Sequence, residues 1–331
     1  MTNAFTLKEF YTPKWLSNPH LQSILPKFIA PKMPDYRREL VKDSLNESEV
    51  AYDFYDVEDS KNEHGKYRKP LIVLFHGLEG GSDSHYARSL AHVVHKQDCH
   101  FVVPHYRSCG GVSVSGNVFY NAGDTTEAHH VLNKLGVDYT TIFVIGVSLG
   151  GNVLAKYMGE YGDNTVCEAA VVVSAPVDLA SSAIAMQKFV GKRVYTPYLL
   201  KPLLQKALEN NLPKEEFEAV MQSKTVSDFD HVFTAPRHGY RSANDYYNQA
   251  SALPFLSKIT KPTLIVTAKD DPFLGLTATQ QDVSPAVTLL DTQHGGHIGF
   301  IQYRSKASPK QKLDLTWLPN TALDFFKRHS K

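Results

Sequence analysis

Gly146, Ser148 and Gly150 fall in a Gly-x-Ser-x-Gly pattern directly after the apolar run Ile142-Phe143-Val144-Ile145. The segment that follows has helical spacing, with Val153, Tyr157 and Met158 able to share a face. Strand, sharp turn and helix in that order form the context of a nucleophile elbow. A serine on so tight a turn sits in a strained backbone region, and its glycine neighbours keep side chains out of the gap between strand and helix. Ser148 Oγ is expected to stand clear at the C-terminal edge of the sheet. The start of the next helix adds free N–H groups and a partial positive charge, which favour an oxyanion beside it. A nucleophilic serine needs a base and a group to orient that base. Both types occur downstream: Asp270 and Asp271 follow one strand-like run, and His294 and His297 follow another. The same four side chains could be oxygen and nitrogen ligands of a metallohydrolase. Two histidines on a glycine loop, however, lack the fixed face that a helix gives His-Glu-x-x-His, so the serine chemistry is preferred and no metal is expected.

These groups need elements to hold them. Pro70–Phe75, Phe101–Pro104, Ile142–Ile145, Ala169–Ser174 and Thr263–Ala268 read as apolar runs, the pattern of strands buried on both faces of a parallel sheet. Helical stretches are expected at Tyr86–Val94, at residues 125–135 and at Asn320–His329, with Asp124 as the N-cap of the second and Asn320 able to cap the third. Strand-like runs near Arg38–Lys42 and Val50–Asp56 suggest an antiparallel edge. Nearly ninety residues separate the strand ending at Ser174 from the one starting at Thr263, far more than the dozen or so of a plain crossover. The surplus, residues 178–250, is expected to be a helical cap inserted over the C-terminal edge of the sheet, where such folds bind ligands. Residues 1–35 form an expected arm, broken by prolines at 13, 19, 26, 31 and 34, with a short helix near His20 to Leu25 and its aromatics packed on the core. The core would then be residues 36–177 and 251–331. Arg107, on a turn-rich loop, is expected to hold that loop together.

The chain as a whole excludes several function classes. Lys+Arg 35 against Asp+Glu 34 gives a formal charge of +1, so no general pull toward nucleic acid or anionic lipid is visible. Cys99, Cys109 and Cys167 have no CxxC spacing, which fits a reduced, cytoplasmic protein. The first ten residues lack a basic start and an apolar run, and no stretch reaches the roughly 18 apolar residues of a spanning helix.

The motifs Pro13-Lys14-Trp15-Leu16-Ser17-Asn18-Pro19-His20-Leu21-Gln22-Ser23, His76-Gly77-Leu78-Glu79-Gly80, Gly146-Val147-Ser148-Leu149-Gly150-Gly151-Asn152, Ala268-Lys269-Asp270-Asp271-Pro272 and His294-Gly295-Gly296-His297-Ile298-Gly299-Phe300 together resemble the α/β-hydrolase superfamily. Within it, the chain is similar to the branch of bacterial YheT-type hydrolases and their eukaryotic abhydrolase-domain relatives. The resemblance implies an α/β-hydrolase fold, a mostly parallel central sheet flanked by helices with a helical cap insertion. It also implies serine ester hydrolysis on short to medium acyl chains, with lipid esters suggested by the eukaryotic relatives. Ser148 would be the nucleophile, His297 the base and one of Asp270 and Asp271 the orienter, in the chain order Ser, Asp, His of that superfamily. Ala268 standing in the glycine place of the family's Gly-x-x-Asp pattern puts Asp271 in the catalytic slot, and Pro272 favours an extended Asp271. Asp270 is expected to bond loop N–H groups. The backbone N–H groups of Leu78 and Leu149 would form the oxyanion hole. No cofactor is implied. A small-molecule or lipid ester is the expected partner, for a monomer that can touch a membrane surface transiently. A rival from another class is a ligand-binding receptor on the same scaffold, since fold alone does not fix function.

Overall fold

The computed structural model describes residues 10–114, 118–209, 212–304 and 312–330. The first nine residues, read above as the start of the arm and as no leader, lie outside the described residues. The arm carries two short helices, α1 (Pro19–Ile24) and α2 (Pro26–Ile29), each with proline in its first turn, where the missing N–H would have no intrahelical partner. Asn18 caps α1 by accepting from the amides of His20 and Leu21.

β1 (Arg37–Lys42) and β2 (Glu49–Tyr55) pair antiparallel at one edge of an eight-stranded sheet, and β2 is antiparallel to β4 (His100–Pro104). From there β3 (Leu71–Phe75), β5 (Ile142–Val147), β6 (Ala169–Val173), β7 (Thr263–Ala268) and β8 (Val287–Thr292) run parallel, in the order β1-β2-β4-β3-β5-β6-β7-β8. Alternation along β3 explains why its every residue is buried. Leu71, Val73 and Phe75 point into one core, and Ile72 and Leu74 into another. The second core is closed by α3 (His85–Lys96), which contributes Ala87, Leu90, Ala91 and Val94. The first is closed by α4 (Thr125–Asp138), through Val131, Leu132 and Leu135, and by α5 (Leu149–Tyr161), through Val153, Leu154, Tyr157 and Met158.

Between β6 and β7 the chain passes through α6 (Leu179–Ala185), α7 (Thr196–Leu208), α8 (Lys214–Met221), α9 (Val226–Phe229), α10 (Ala235–Arg237) and α11 (Ala243–Ala250). Leu200, Leu203, Val220, Phe229 and Phe233 from this helical insertion form a separate apolar cluster with Phe119 of the core. The exit of the insertion is tied to the sheet by Asn152 on α5. Its buried amide donates to Ala122 O and Ala250 O at 2.8 Å each and accepts from Ala252 N at 2.9 Å. After β8, a short antiparallel pair, β9 (Gln302–Tyr303) and β10 (Leu313–Asp314), leads to α12 (Trp317–His329), which packs Leu323 and Phe326 inward against the second core.

Two expectations are corrected. Asn320 does not cap α12, which begins three residues earlier at Trp317; Pro319 lies in the first turn, where a proline removes no helical hydrogen bond. The arm's aromatics divide: Phe10 packs on Phe300 and Trp317, whereas Trp15 and Phe28 remain exposed. Arg107 is structural, as expected. Its buried guanidinium pairs with Asp43 and Asp124, both at 2.7 Å, and with Glu127, while Asp124 caps α4 through the Glu127 amide.

Candidate active site

β5 delivers Ser148 to the C-terminal edge of the sheet with φ +53° and ψ −120°, a conformation that side chains rarely adopt. Its amide is anchored to Val173 O of the neighbouring β6 at 2.9 Å. The turn closes only because the strands and α5 nearly touch: a Cβ on Gly150 would lie 2.3 Å from Phe75 O.

The loops after β7 and β8 bring two carboxylates and two histidines to the same edge, and the four sort into two separate pairs. His297 Nε2 lies 2.9 Å from Ser148 Oγ, and its Nδ1 lies 2.9 and 3.1 Å from the two oxygens of Asp271. A proton on Nδ1 donated to Asp271 leaves Nε2 free to accept the serine hydroxyl. Asp271 is fixed in turn by the Phe273 amide at 2.9 Å, and the Phe273 ring stacks on the imidazole with centroids 4.1 Å apart. Only 1% of the Asp271 side chain and 10% of the His297 side chain are exposed. Asp270 points elsewhere, accepting from Gly296 N at 2.9 Å and contacting His294 Nδ1 at 3.2 Å. Among the described residues, no three His, Cys, Asp or Glu side chains form a group arranged to hold a metal.

The turn after β3 runs beside the serine, close enough that a Cβ on Gly77 would stand 3.2 Å from Ser148 Cβ. Leu78 and Leu149 line the same cavity as Ser148, and neither of their amides has a hydrogen-bond acceptor among the described residues. His76 holds this turn. Its Nδ1 lies 2.8 Å from Gly77 O and its Nε2 accepts from Tyr106 N at 3.3 Å. Burial drives the His76 pKa down to about 3, so the ring stays neutral and keeps one donor and one acceptor. Tyr86 accepts from Gly77 N at 2.9 Å, and Glu79 pairs with Lys206 of α7 at 2.8 Å, linking the turn to the helical insertion.

The arm supplies contacts that the spacing of the catalytic-type residues does not reveal. Ser23 Oγ accepts from the His297 amide at 2.8 Å and donates to Pro19 O at 2.7 Å. The buried Gln22 side chain brackets Ile301, donating to its carbonyl at 3.2 Å and accepting from its amide at 2.8 Å. The histidine loop lies so close to the arm that a Cβ on Gly299 would meet Gln22 O at 2.1 Å. His20 reaches across to the insertion, with Nδ1 2.8 Å from Tyr195 Oη, and the Tyr195 ring packs on Phe273. The one signal was the Pro13–Ser23 run, which stands among the motifs of the family resemblance without a role assigned to any of its residues.

Ser148 and His297 open into a cavity of about 780 Å³. Its wall is largely apolar and comes from both the core and the insertion, including Phe119, Leu179, Leu199, Leu203, Phe229 and Phe233. Such a site can direct a serine oxygen at an electrophilic carbon held in an apolar chamber.

A family model described as the alpha/beta hydrolase fold matches residues 70–302, from the residue before β3 into β9. YheT of Escherichia coli (strain K12) is 36% identical over 306 residues, 88% of this chain and 87% of that one. A monoacylglycerol lipase of Saccharomyces cerevisiae (strain ATCC 204508 / S288c) is 32% identical over 268 residues, 77% of this chain and 60% of that one. Among solved structures, the esterase Pf2001 of Pyrococcus furiosus aligns over 98% of this chain and 96% of its own, with a TM-score of 0.55 and 15% identity, a likeness of fold. With the elbow, both carboxylate–histidine loops and the parallel strands inside the matched span, the chain belongs to the α/β-hydrolase family and has YheT among its relatives.

Proposed function

We propose that this protein is a serine hydrolase of carboxylic esters, acting through an acyl-serine intermediate on a substrate with a short to medium acyl chain or on a lipid ester. The observation that carries this reading is the unbroken line Asp271, His297, Ser148, with 2.9 Å at each step, ending at an apolar cavity. His297 Nε2 takes the Ser148 proton as Oγ attacks the ester carbonyl. The resulting oxyanion is met by the amides of Leu78 and Leu149, each contributing roughly 2.7–4 kcal/mol in the transition state. Collapse of the tetrahedral intermediate breaks the carbon–oxygen bond of the ester, and His297 protonates the leaving alcohol. Water, activated by the same imidazole, then attacks the acyl-serine carbonyl and releases the acid. Asp271 holds the imidazole tautomer and stabilises its cation throughout, and no cofactor takes part.

Residues 178–250 are assigned the role of a cap that selects the acyl chain, set on a core of 36–177 and 251–331, with the arm over 1–35 bracing the histidine loop. Similarity to a protein named monoacylglycerol lipase supports an ester with a single acyl chain, which a largely apolar cavity of about 780 Å³ can take in. The test is hydrolysis of a chain-length series of acyl esters by wild type and Ser148→Ala, beside labelling by a fluorophosphonate. Covalent labelling at Ser148 and turnover lost in the variant are expected. Failure to label, or a Ser148→Ala protein that keeps more than about a tenth of the rate, overturns the reading.

A further inference from the structure

The cavity opens between two stretches of unusual composition. Residues 10–34 in the arm and 179–208 in the insertion hold eight of the 35 Lys and Arg and none of the 34 Asp and Glu. The near-neutral total charge therefore hides a segregated one, with an acidic balance over the rest of the chain. The two stretches meet at the mouth: Ile24 and Lys27 from the arm and Val194 and Tyr198 from the insertion line the same cavity, and Lys27 Nζ sits 3.7 Å above the Tyr198 ring.

Large apolar side chains stand in solvent here. Phe28, next to Lys27, is 79% exposed, Phe189 is 70% exposed and Tyr198 is 60% exposed. Phe189 lies under the Arg193 guanidinium at 3.9 Å, so the basic and apolar groups are interleaved. Lys14, Lys27, Lys32, Lys188, Lys192, Arg193 and Lys201 are all exposed, and none makes an ion pair among the described residues. Lys206, the eighth, is turned inward to Glu79.

We infer that the face formed by α1, α2 and residues 184–201 docks on an anionic lipid bilayer. Phe28 and Phe189 would enter the acyl boundary while the lysines and Arg193 sit among the headgroups, with the cavity mouth facing the membrane. Apolar residues that penetrate, surrounded by cations that attract an anionic leaflet, are what interfacial binding requires. An acidic protein would satisfy the cations but leave singly projecting phenylalanines without pockets. The bilayer as the source of substrate rests on the ester-hydrolase reading; the docking surface does not.

The experiment is flotation of the full chain with vesicles of phosphatidylcholine alone or mixed with phosphatidylglycerol, scored beside hydrolysis of a short soluble ester. Wild type is expected to float with the mixed vesicles and to be released by salt, since exposed charges are screened. A Lys188→Glu, Lys192→Glu, Arg193→Glu variant should bind at least about a hundred-fold more weakly. Phe28→Ser with Phe189→Ser should weaken binding about ten-fold or more. Both should keep wild-type turnover of the soluble ester, because none of these side chains lines the cavity. A Phe28→Trp protein gives an independent readout, its emission shifting to the blue on mixed vesicles only. Absence of flotation, equal binding to neutral vesicles, or full binding by the charge-reversed protein would overturn the inference. Undiminished binding by the phenylalanine variant would also overturn it, leaving a face for soluble polyanions instead. Loss of ester turnover in wild type with vesicle binding intact would remove the hydrolase reading and leave the docking surface standing.

Discussion

The C-terminal edge of the sheet and the helical insertion above it line one cavity under opposite constraints. At the edge, backbone geometry leaves almost no choice. Ser148 adopts φ +53°, a Cβ at Gly146 would lie 2.5 Å from Gly150 O and one at Gly150 2.3 Å from Phe75 O, so the identities of both glycines and the direction of the Oγ are set together. The insertion is held by a small apolar cluster around Leu200, Leu203, Phe229 and Phe233, a kind of packing that tolerates volume-conserving exchange. It also leaves Ile184, Phe189 and Tyr198 outside any core. Under the proposed function, chemistry is fixed by the part that cannot vary, and selectivity is left to the part that can.

The largest effect expected from this division is at the elbow. Ser148→Ala should lower ester turnover by about 10⁴-fold or more while denaturant unfolding stays near wild type, because the substitution removes one oxygen from a turn whose shape the glycines determine. His297→Ala should lose a comparable factor, and the double variant little more, since the members act as a unit. Next come the two carboxylates. Asp271→Asn should drop turnover by about 10⁴ through the wrong imidazole tautomer with folding retained. Asp270→Asn should keep most of the rate and lose stability, because its bonds are to Gly296 N and His294. Steady-state kinetics beside urea unfolding separates the two, and collapse of turnover in a well-folded Asp270→Asn would exchange their roles.

A smaller effect is expected one step back from the reacting atoms. Gln22→Leu removes both hydrogen bonds to Ile301 without changing side-chain bulk much, freeing the loop that carries His297. Because a misplacement of about 1 Å can lower a rate a hundred-fold, kcat should fall roughly ten- to a hundred-fold while KM hardly moves. A change confined to KM, or none at all, would make the arm a mere surface strap.

How far the sequence showed this depends on the range of the interactions. The strands were readable because Leu71–Phe75 and Ala169–Val173 are apolar throughout, which only a sheet covered on both faces accommodates. The elbow was readable because strand, glycines and helix lie within twenty residues. The link between Gln22 and Ile301 was not, since the partners are 279 residues apart and neither type announces the other. Nor were the π-helical stretches Gly191–Tyr195 and Asp230–Thr234, which have no periodicity of their own in so short a run. The start of α12 was misplaced for a local reason: Asn320 is a good cap by type, but Pro319 lets the helix begin upstream.

The smallest effect expected is on stability, and it lies in the insertion. Asp230 lines the cavity and accepts from Tyr247 Oη at 2.8 Å. Burial raises its pKa from 3.8 to about 6, against the pull of hydrogen bonds from Thr234 and Tyr247. Between about pH 4 and pH 6 the unfolded chain therefore loses this proton before the folded one does, and stability falls as pH rises. Above pH 6 the folded protein carries an ionised carboxylate that its surroundings oppose, a deficit on the order of 1–3 kcal/mol. Asp230→Asn keeps an acceptor for Tyr247 and removes the charge. It should unfold at higher urea than wild type at about pH 8, with the gap closing as the pH is lowered toward about 4. A gap independent of pH would mean that the amide packs differently and that ionisation plays no part. A variant less stable at every pH would mean that the carboxylate is held by more than Tyr247 and Thr234. The insertion would then be constrained at this position as tightly as the sheet edge is at Ser148, and the contrast between them would fail at this carboxylate.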